Sequence, residues 1–323
     1  MNLKKTARTL SLSMTGLAQV VLIGVGIATG IGFLGKLYWL FDLFSHFRVQ
    51  YFQICLLLIA WFFWKRHYRW MAAGLGLALL NYAFVLPFYF GKPEAGGTAG
   101  KTIRVMQINL NAGNGAVEKV LSSIEKYNAD LVLLEEVTPK WEKELQGVYS
   151  NYPHRLTQSR SDCFGIQLLS RFPFRSGEVL VIGPAGLPSV RADIETPQGP
   201  IAFIGTHPLP PIGGANSNER NQQLSALPEL VKQQRYPVVL AGDLNLSPWS
   251  PWFRALLKES GLKNSMQGFG FQPSWPKKPA FFRIPLDHVL HSPDVQIVNR
   301  FMGEDTGSDH LPLIVDIQRA RLP

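Results

Sequence analysis

Cysteine is almost absent. The 323 residues hold two, Cys55 and Cys163. Far apart and in regions of different character, they build neither a disulfide framework nor a zinc-ligand pattern. Cys55 lies inside an apolar run, and Cys163 reads as a small packed residue rather than a nucleophile. Charge is scarce as well: Asp, Glu, Lys and Arg make up 17% of the chain, against about 25% in soluble domains. With 46% hydrophobic residues and a mean hydropathy of +0.04, this excludes a disordered chain and argues against a wholly soluble one. The formal net charge of +9 is unevenly placed. Residues 1–100 carry nine Lys/Arg and two Asp/Glu, a net of +7, which leaves +2 for residues 101–323. The second part therefore lacks the basic footprint of a nucleic-acid-binding domain.

What residues 1–91 have instead is long uncharged runs. Residues 17–35, 49–64 and 71–90 contain no Asp, Glu, Lys or Arg. At ~1.5 Å per residue the first spans a hydrocarbon core of ~30 Å. Tyr38, Trp39, Trp61, Trp64, Trp70 and Tyr89 cluster near the ends of the runs, where interfacial aromatic belts lie. Three transmembrane helices are predicted, at about 17–38, 49–64 and 71–90, the second being the weakest. The first run is too long, and too well followed by others, to be a cleaved signal peptide. Lys4, Lys5 and Arg8 precede the first helix, and Lys65, Arg66, His67 and Arg69 fill the connection between the second and third. The positive-inside rule puts those segments in the cytoplasm. Three crossings then place everything after residue 91 outside it, on a multi-pass protein of the cytoplasmic membrane.

Residues 92–102 form a Gly-rich linker. Ala95 to Thr102 reads AGGTAGKT, close to a phosphate-binding P-loop. A real P-loop follows a strand and opens a helix, whereas here a membrane helix precedes and a strand pattern follows.

Residues 103–323 are long enough for one large core. Short Val/Ile/Leu-rich runs bounded by Gly, Pro, Asn and Asp predict strands at 103–110, 131–134, 165–169, 201–206, 238–241, 286–290 and 313–317. Helical patterns fall at 116–127, 140–146, 218–234 and 251–261. Without strict alternation of the two, a mixed-sheet α/β sandwich is favoured over a doubly wound parallel sheet. Polar residues stand at strand ends: Asn109, Glu135 and Glu136, Thr206 and His207, Asp243 and Asn245, Asp287 and His288, then Ser308, Asp309 and His310. Carboxylates, carboxamides and imidazoles so placed suit a hard cation and phosphoryl chemistry.

The ordered set IN-L-N, LLEE, TH, GDLN, LDH and GSDH resembles the endonuclease/exonuclease/phosphatase superfamily, the DNase I-like fold, over roughly residues 103–317. The resemblance implies a four-layer αββα sandwich and a phosphate-ester-cleaving enzyme dependent on Mg²⁺ or Mn²⁺. It assigns Asn109, Glu136 and Asp309 to the metal, and Asp243 and Asn245 to the attacking water and the phosphate. By the same resemblance His310 would contact the scissile phosphate, Asp287 would orient His310, and His207 would be a second active-site histidine. Glu135 falls on the opposite face from Glu136 and reads as structural or as a support behind the site residues. Asn111 and Asn114 read as turn formers, and His288 as structural. Asp316 reads as a solvated alternate, and Arg191 and Arg220 as surface residues. Residues 207–217 are expected to form a flexible lid. Residues 268–283 mix Phe269, Phe271, Trp275, Phe281 and Phe282 with Lys277 and Lys278; they suit insertion into lipid headgroups, stacking on a base, or packing as a surface loop.

The function expected is a membrane-anchored, divalent-metal-dependent phosphoesterase. It would act on a lipid phosphate, phosphodiester or pyrophosphate at the outer face of the cytoplasmic membrane, with the bilayer as its partner and no protein partner indicated. The alternatives are an extracytoplasmic nuclease acting on DNA or RNA and a catalytically inactive membrane scaffold or sensor.

Overall fold

The computed structural model describes residues 13–91 and 102–319. Lys4, Lys5, Arg8 and, except for Thr102, the Gly-rich linker with its P-loop look-alike lie outside the described residues.

Four helices come first: α1 (Met14–Ile31), α2 (Trp39–Leu43), α3 (Arg48–Trp64) and α4 (Tyr68–Val85). Ser13 caps α1, its side chain accepting from the Gly16 amide. With 3-10 turns at 32–34, 44–47 and 86–89, the stretches Met14–Leu34, Trp39–Trp64 and Tyr68–Tyr89 are each long and apolar enough to cross a membrane. Two expected boundaries move. The first helix stops before residue 38 because the chain doubles back at Gly35, where an added Cβ would lie 2.9 Å from the Asp42 Cα. The second begins at Trp39 rather than 49, because a 3-10 turn joins α2 to α3. Leu22, Val25, Cys55, Phe62 and Ala78 pack between the helices, while Val20, Ile27, Leu57, Phe63 and Leu79 face outward. An apolar exterior of this kind suits a lipid environment.

The remaining elements are β1 (Ile103–Asn109), α5 (Val117–Tyr127), β2 (Leu131–Glu135), α6 (Pro139–Glu144), β3 (His154–Gln158), β4 (Ile166–Ser170), β5 (Phe174–Val181), β6 (Pro188–Thr196), β7 (Gly199–Thr206), α7 (Gly213–Lys232), β8 (Val238–Asp243), α8 (Pro251–Ser260), β9 (Lys263–Asn264), β10 (Asp287–His291), β11 (Val295–Met302) and β12 (Leu313–Arg319). They form two six-stranded mixed sheets, ordered β11-β12-β1-β2-β4-β3 and β5-β6-β7-β8-β10-β9. The pairs β1–β2 and β7–β8 are parallel and the others antiparallel.

Alternation along each strand sorts the side chains into layers. Val105, Leu133, Phe203, Val239, Val289 and Val315 fill the space between the sheets. Met106, Ile108, Val132 and Leu134 pack outward on Val120, Ile124 and Trp141. Ile204 and Leu240 pack outward on Leu224, Leu227 and Phe253. The result is the expected four-layer αββα sandwich, preceded by helices able to span a membrane. Strands β3, β5 and β6, the two-residue β9 and β11 lie outside the expected set. β5 is an edge strand exposed along most of its length, so no buried face marks its period. In β6 Val190, Ala192 and Ile194 face the core and alternate with polar Arg191 and Asp193, which pair with each other, so this strand does carry a period of two. Helix α7 begins at Gly213, not 218, and takes up half of the expected flexible lid.

The sandwich sits against the helices through specific contacts. Trp249 Nε1 donates to the Phe84 carbonyl at 2.9 Å, and the Gly270 amide to that of Phe88 at 2.7 Å. Gln50 Nε2 reaches the carbonyls of Phe281 and Arg283. Val85, Phe88, Trp249 and Met266 share one buried cluster.

Candidate active site

The rows of inward-facing residues end in polar groups. In β1 the row Ile103, Val105 continues as Gln107 and Asn109; in β2 Leu131 and Leu133 continue as Glu135; in β8 Val239 and Ala241 continue as Asp243. β10 runs antiparallel to β8, so its first residue, Asp287, lies opposite Asp243. Asn109 pairs in register with Glu135. The period of two that builds the core thus delivers carboxylates and carboxamides to one end of it.

Loops bring the other groups to this floor. His310 Nδ1 lies 2.8 Å from Asp287 Oδ2, and its Nε2 lies 3.6 Å from Asp243 Oδ2. His207, directly after β7, places Nε2 3.7 Å from the same oxygen. Asn109 Nδ2 donates to Asp243 Oδ2 at 3.2 Å, and the Asn245 amide donates to Oδ1 at 2.9 Å. Beneath them Gln107 Nε2 bridges Glu135 and Asp287, 2.6 Å from an oxygen of each. The Ala112 amide donates to Glu136 Oε2 at 2.8 Å. Asp309 accepts from Asn111 Nδ2 at 2.7 Å and from Trp275 Nε1 at 2.9 Å. Glu136 and Asn245 both lie just past their strands in the left-handed region, with φ of 59° and 53°, a conformation an Asn tolerates better than a Glu. Alternation alone therefore does not explain how Asn245 faces the site, since β8 ends at Asp243.

Burial sets the charges. It pushes the Asp243 carboxyl up to about 7, a rise that Asp287 adds to and His310 opposes. Burial disfavours charge on His310, yet the Asp287 and Asp243 carboxylates raise its imidazolium to about 10. Asp287 is also buried, but the His310 charge and hydrogen bond hold it below the usual carboxylate range. His207, buried and beside cationic His310, falls to about 4. Burial and the neighbouring Asp243 and Asp287 carboxylates drive Glu135 well upward. The floor thus favours a protonated His310 and a neutral His207, with the Asp243 carboxyl raised into the range where it can accept a proton.

Asn109, Glu136, His207, Asp243, Asp309 and His310 all line one cavity of about 410 Å³, with Asn245. Its lining includes no Lys or Arg among the described residues, so its carboxylates face one cationic histidine. A cluster of Asp243, Asp287 and His310 offers ligand atoms within 4.8 Å of one another. Asp287 and His310 are already spent on their mutual hydrogen bond, whereas Glu136, Asn109 and Asp309 bring hard oxygen donors to the same cavity. This donor set fits a divalent cation of the Mg²⁺ type.

Several other residues differ from expectation. Arg220 is not a surface residue: it is fully buried and paired with Asp42 at 2.7 Å. Asp316 is buried and paired with Arg104, not solvated. Cys163 is exposed rather than packed and lines the cavity. Asn111 makes a turn with φ of 57° and also holds Asp309; Asn114 bonds the turn carbonyls of Leu110 and Thr306. His288 faces away from the site, its Nε2 2.8 Å from the Leu246 carbonyl. Glu135 sits under the site. Arg191 is half-buried and paired with Asp193. In the aromatic loop Phe271 stacks on Trp249, Trp275 lies near His310, and Phe281 and Phe282 stay exposed. Missing from the sequence reading altogether were Leu43, His46 and Phe47, which lend the cavity a wall from the membrane-helix segment. Only Asp42 and Arg48, charges inside an apolar stretch, hinted that this segment does more than span.

A sequence model of the endonuclease/exonuclease/phosphatase family matches residues 106–310. Among curated proteins, a UPF0294 protein of Vibrio parahaemolyticus is 31% identical over 115 residues, 36% of this chain and 39% of that protein. A UPF0294 protein of Vibrio campbellii is 31% identical over 100 residues, 31% of this chain and 34% of that one. The matched region thus spans less than half the length of either relative. Among solved structures, TDP2 of D. rerio complexed with a single-strand DNA product superposes with a TM-score of 0.56 at 18% identity, covering 68% of this chain and 100% of that one. Sphingomyelinase C from Streptomyces griseocarneus superposes at 0.52 and 16%, covering 69% and 100%. At such identities these two share the fold.

Proposed function

The chain belongs to the endonuclease/exonuclease/phosphatase family, and from that premise we propose that it hydrolyses the phosphate ester, phosphodiester or pyrophosphate of a lipid at the outer face of the cytoplasmic membrane. One observation carries the lipid reading: the cavity that holds the polar groups is closed on another side by Leu43 and Phe47 of the helix segment, with Ile212 and Leu286 beside them. A soluble phosphoester needs no such wall, whereas an amphiphile leaves its apolar part there while its phosphate meets the polar floor. The near-neutral charge of residues 101–323 weighs against a nuclease. The orientation is supported by placement. The sandwich contacts residues 42–50 and 84–90, while Lys65, Arg66 and His67 turn at the other end of α3 and α4.

In the proposed chemistry Asp243 holds and deprotonates the attacking water, its carboxylate fixed by Asn109 and the Asn245 amide. His310, kept protonated by Asp287, donates from Nε2 to the phosphoryl group or to the departing oxygen. His207 and Asn245 contact the phosphate. Glu136, Asn109 and Asp309 would hold a Mg²⁺ or Mn²⁺ ion, which when bound offsets phosphate charge as a Lewis acid.

Full-length protein in detergent, assayed on dioleoylphosphatidic acid, sphingomyelin, a polyprenyl pyrophosphate, DNA and RNA with and without EDTA, tests this reading. We expect metal-dependent release from a lipid, with Asp243→Asn slower by about 10²–10⁴-fold. Turnover of DNA or RNA alone would establish the nuclease instead, and turnover of none would leave the scaffold.

A further inference from the structure

His46 lies in the 3-10 turn between α2 and α3, belongs to the segment able to span a membrane, and lines the same cavity as Asp243 and His310. It is 4% exposed. The Ser247 backbone amide donates to its Nδ1 at 3.3 Å, and the Ser247 hydroxyl lies 2.9 Å from the same atom. A nitrogen that accepts from a backbone N–H carries no proton, so the neutral ring holds its hydrogen on Nε2. Nε2 is buried and has no hydrogen-bond partner among the described residues. A buried donor left unmet costs about 1–3 kcal/mol, a cost that an acceptor brought within its reach by a ligand would relieve.

The ring sits at a boundary. Leu43 at the end of α2 and Phe47 on the ring's own turn form the apolar wall; through Ser247 the ring is anchored to the loop after β8 that also carries Asn245. Resting on the lipid-phosphoesterase reading above, we propose that His46 is a substrate-binding residue which the membrane segment contributes to the active site. Its Nε2–H donates to the substrate oxygen where the phosphorylated headgroup joins the apolar chain. The residue thereby favours phosphates that carry such a chain over free phosphate. The anchor is not incidental: it sets the tautomer that makes Nε2 the donor.

The two ring nitrogens can be separated by substitution. His46→Asn keeps an acceptor for Ser247 at the position of Nδ1 and removes the distal donor; His46→Gln places an amide N–H near the position of Nε2. Binding of hexadecyl phosphate and of inorganic phosphate to full-length, Mg²⁺-supplied protein in lipid nanodiscs is measured by calorimetry, with thermal unfolding as the control for folding. We expect His46→Asn to weaken hexadecyl phosphate about tenfold, or 1.4 kcal/mol, with inorganic phosphate within about twofold and His46→Gln close to the parent. Unchanged binding by His46→Asn overturns the proposal. So does equal loss in both variants, which would make His46 a mere support for Ser247, and so does a parallel loss of inorganic phosphate. A parent protein that binds inorganic phosphate but not hexadecyl phosphate defeats the lipid reading itself, a different result from any of these.

Discussion

His288 shows how one alternation decides between chemistry and structure. Its neighbour Asp287 faces the space between the sheets and bonds His310, whereas the His288 ring turns outward against Phe253, 4.7 Å between ring centres. Burial lowers this imidazole to about 4, so the folded protein keeps it neutral, while the unfolded chain titrates near 6.5. Between those values the unfolded state binds the extra proton. The stability present above pH 6.5 is therefore lost as pH falls toward 4, by up to about 3 kcal/mol for this group. In thermal melts of the full-length protein from pH 7 to pH 5, the parent should lose more melting temperature than His288→Gln; identical slopes would disprove the assignment. The period of a strand placed His288 outward as expected, but it misplaced the two glutamates: Glu135 points inward beneath the site, and Glu136 reaches the cavity only because the chain turns left-handed just past β2. Residue-level reading failed where a partner lay far along the chain: Arg220 has Asp42 and Arg104 has Asp316, and nothing local marks either pair.

At the scale of elements, α2 and α7 are joined by that buried pair. Arg220 Nη2 bonds Asp42 at 2.7 Å and Nη1 bonds the Asn245 carbonyl at 3.0 Å, while Ser250 donates to the other Asp42 oxygen. One guanidinium thus ties the membrane-side helix to the loop that carries Asn245. Removing one partner of such a pair leaves a buried charge unmet. Arg220→Met should destabilise the protein by about 3–5 kcal/mol, and Asp42→Asn in the same chain should recover much of that loss, because neither charge then remains. Unfolding of the single and double variants in detergent measures both; a single variant within ~0.5 kcal/mol of the parent, the range of ordinary surface changes, would refute the linkage.

The whole molecule is a catalytic sandwich whose cavity is finished by its helices. Trp249 and Met266 bury their apolar surface against Val85 and Phe88, and Leu43, His46 and Phe47 close the cavity. Residues 102–323 produced alone would expose that face and lose that wall. We expect the fragment to self-associate on gel filtration and to fall at least tenfold below the full chain on a lipid substrate. A monodisperse fragment with full activity would show the helices to be an anchor only.

Local chemistry in the sequence determined much of this protein: three apolar runs, the strand periods that make two buried sheets, and polar residues at strand ends in an order that names the family. Those signals are short-range, since hydrophobic period and turn chemistry act within a few residues. Tertiary structure alone decided which strand ends converge, that Asp243 stands between two histidines, that His46 lines the candidate active-site cavity and that Asp42 pairs with Arg220. Contacts between residues some 180–200 positions apart depend on how layers stack, and no pattern along the chain encodes that distance.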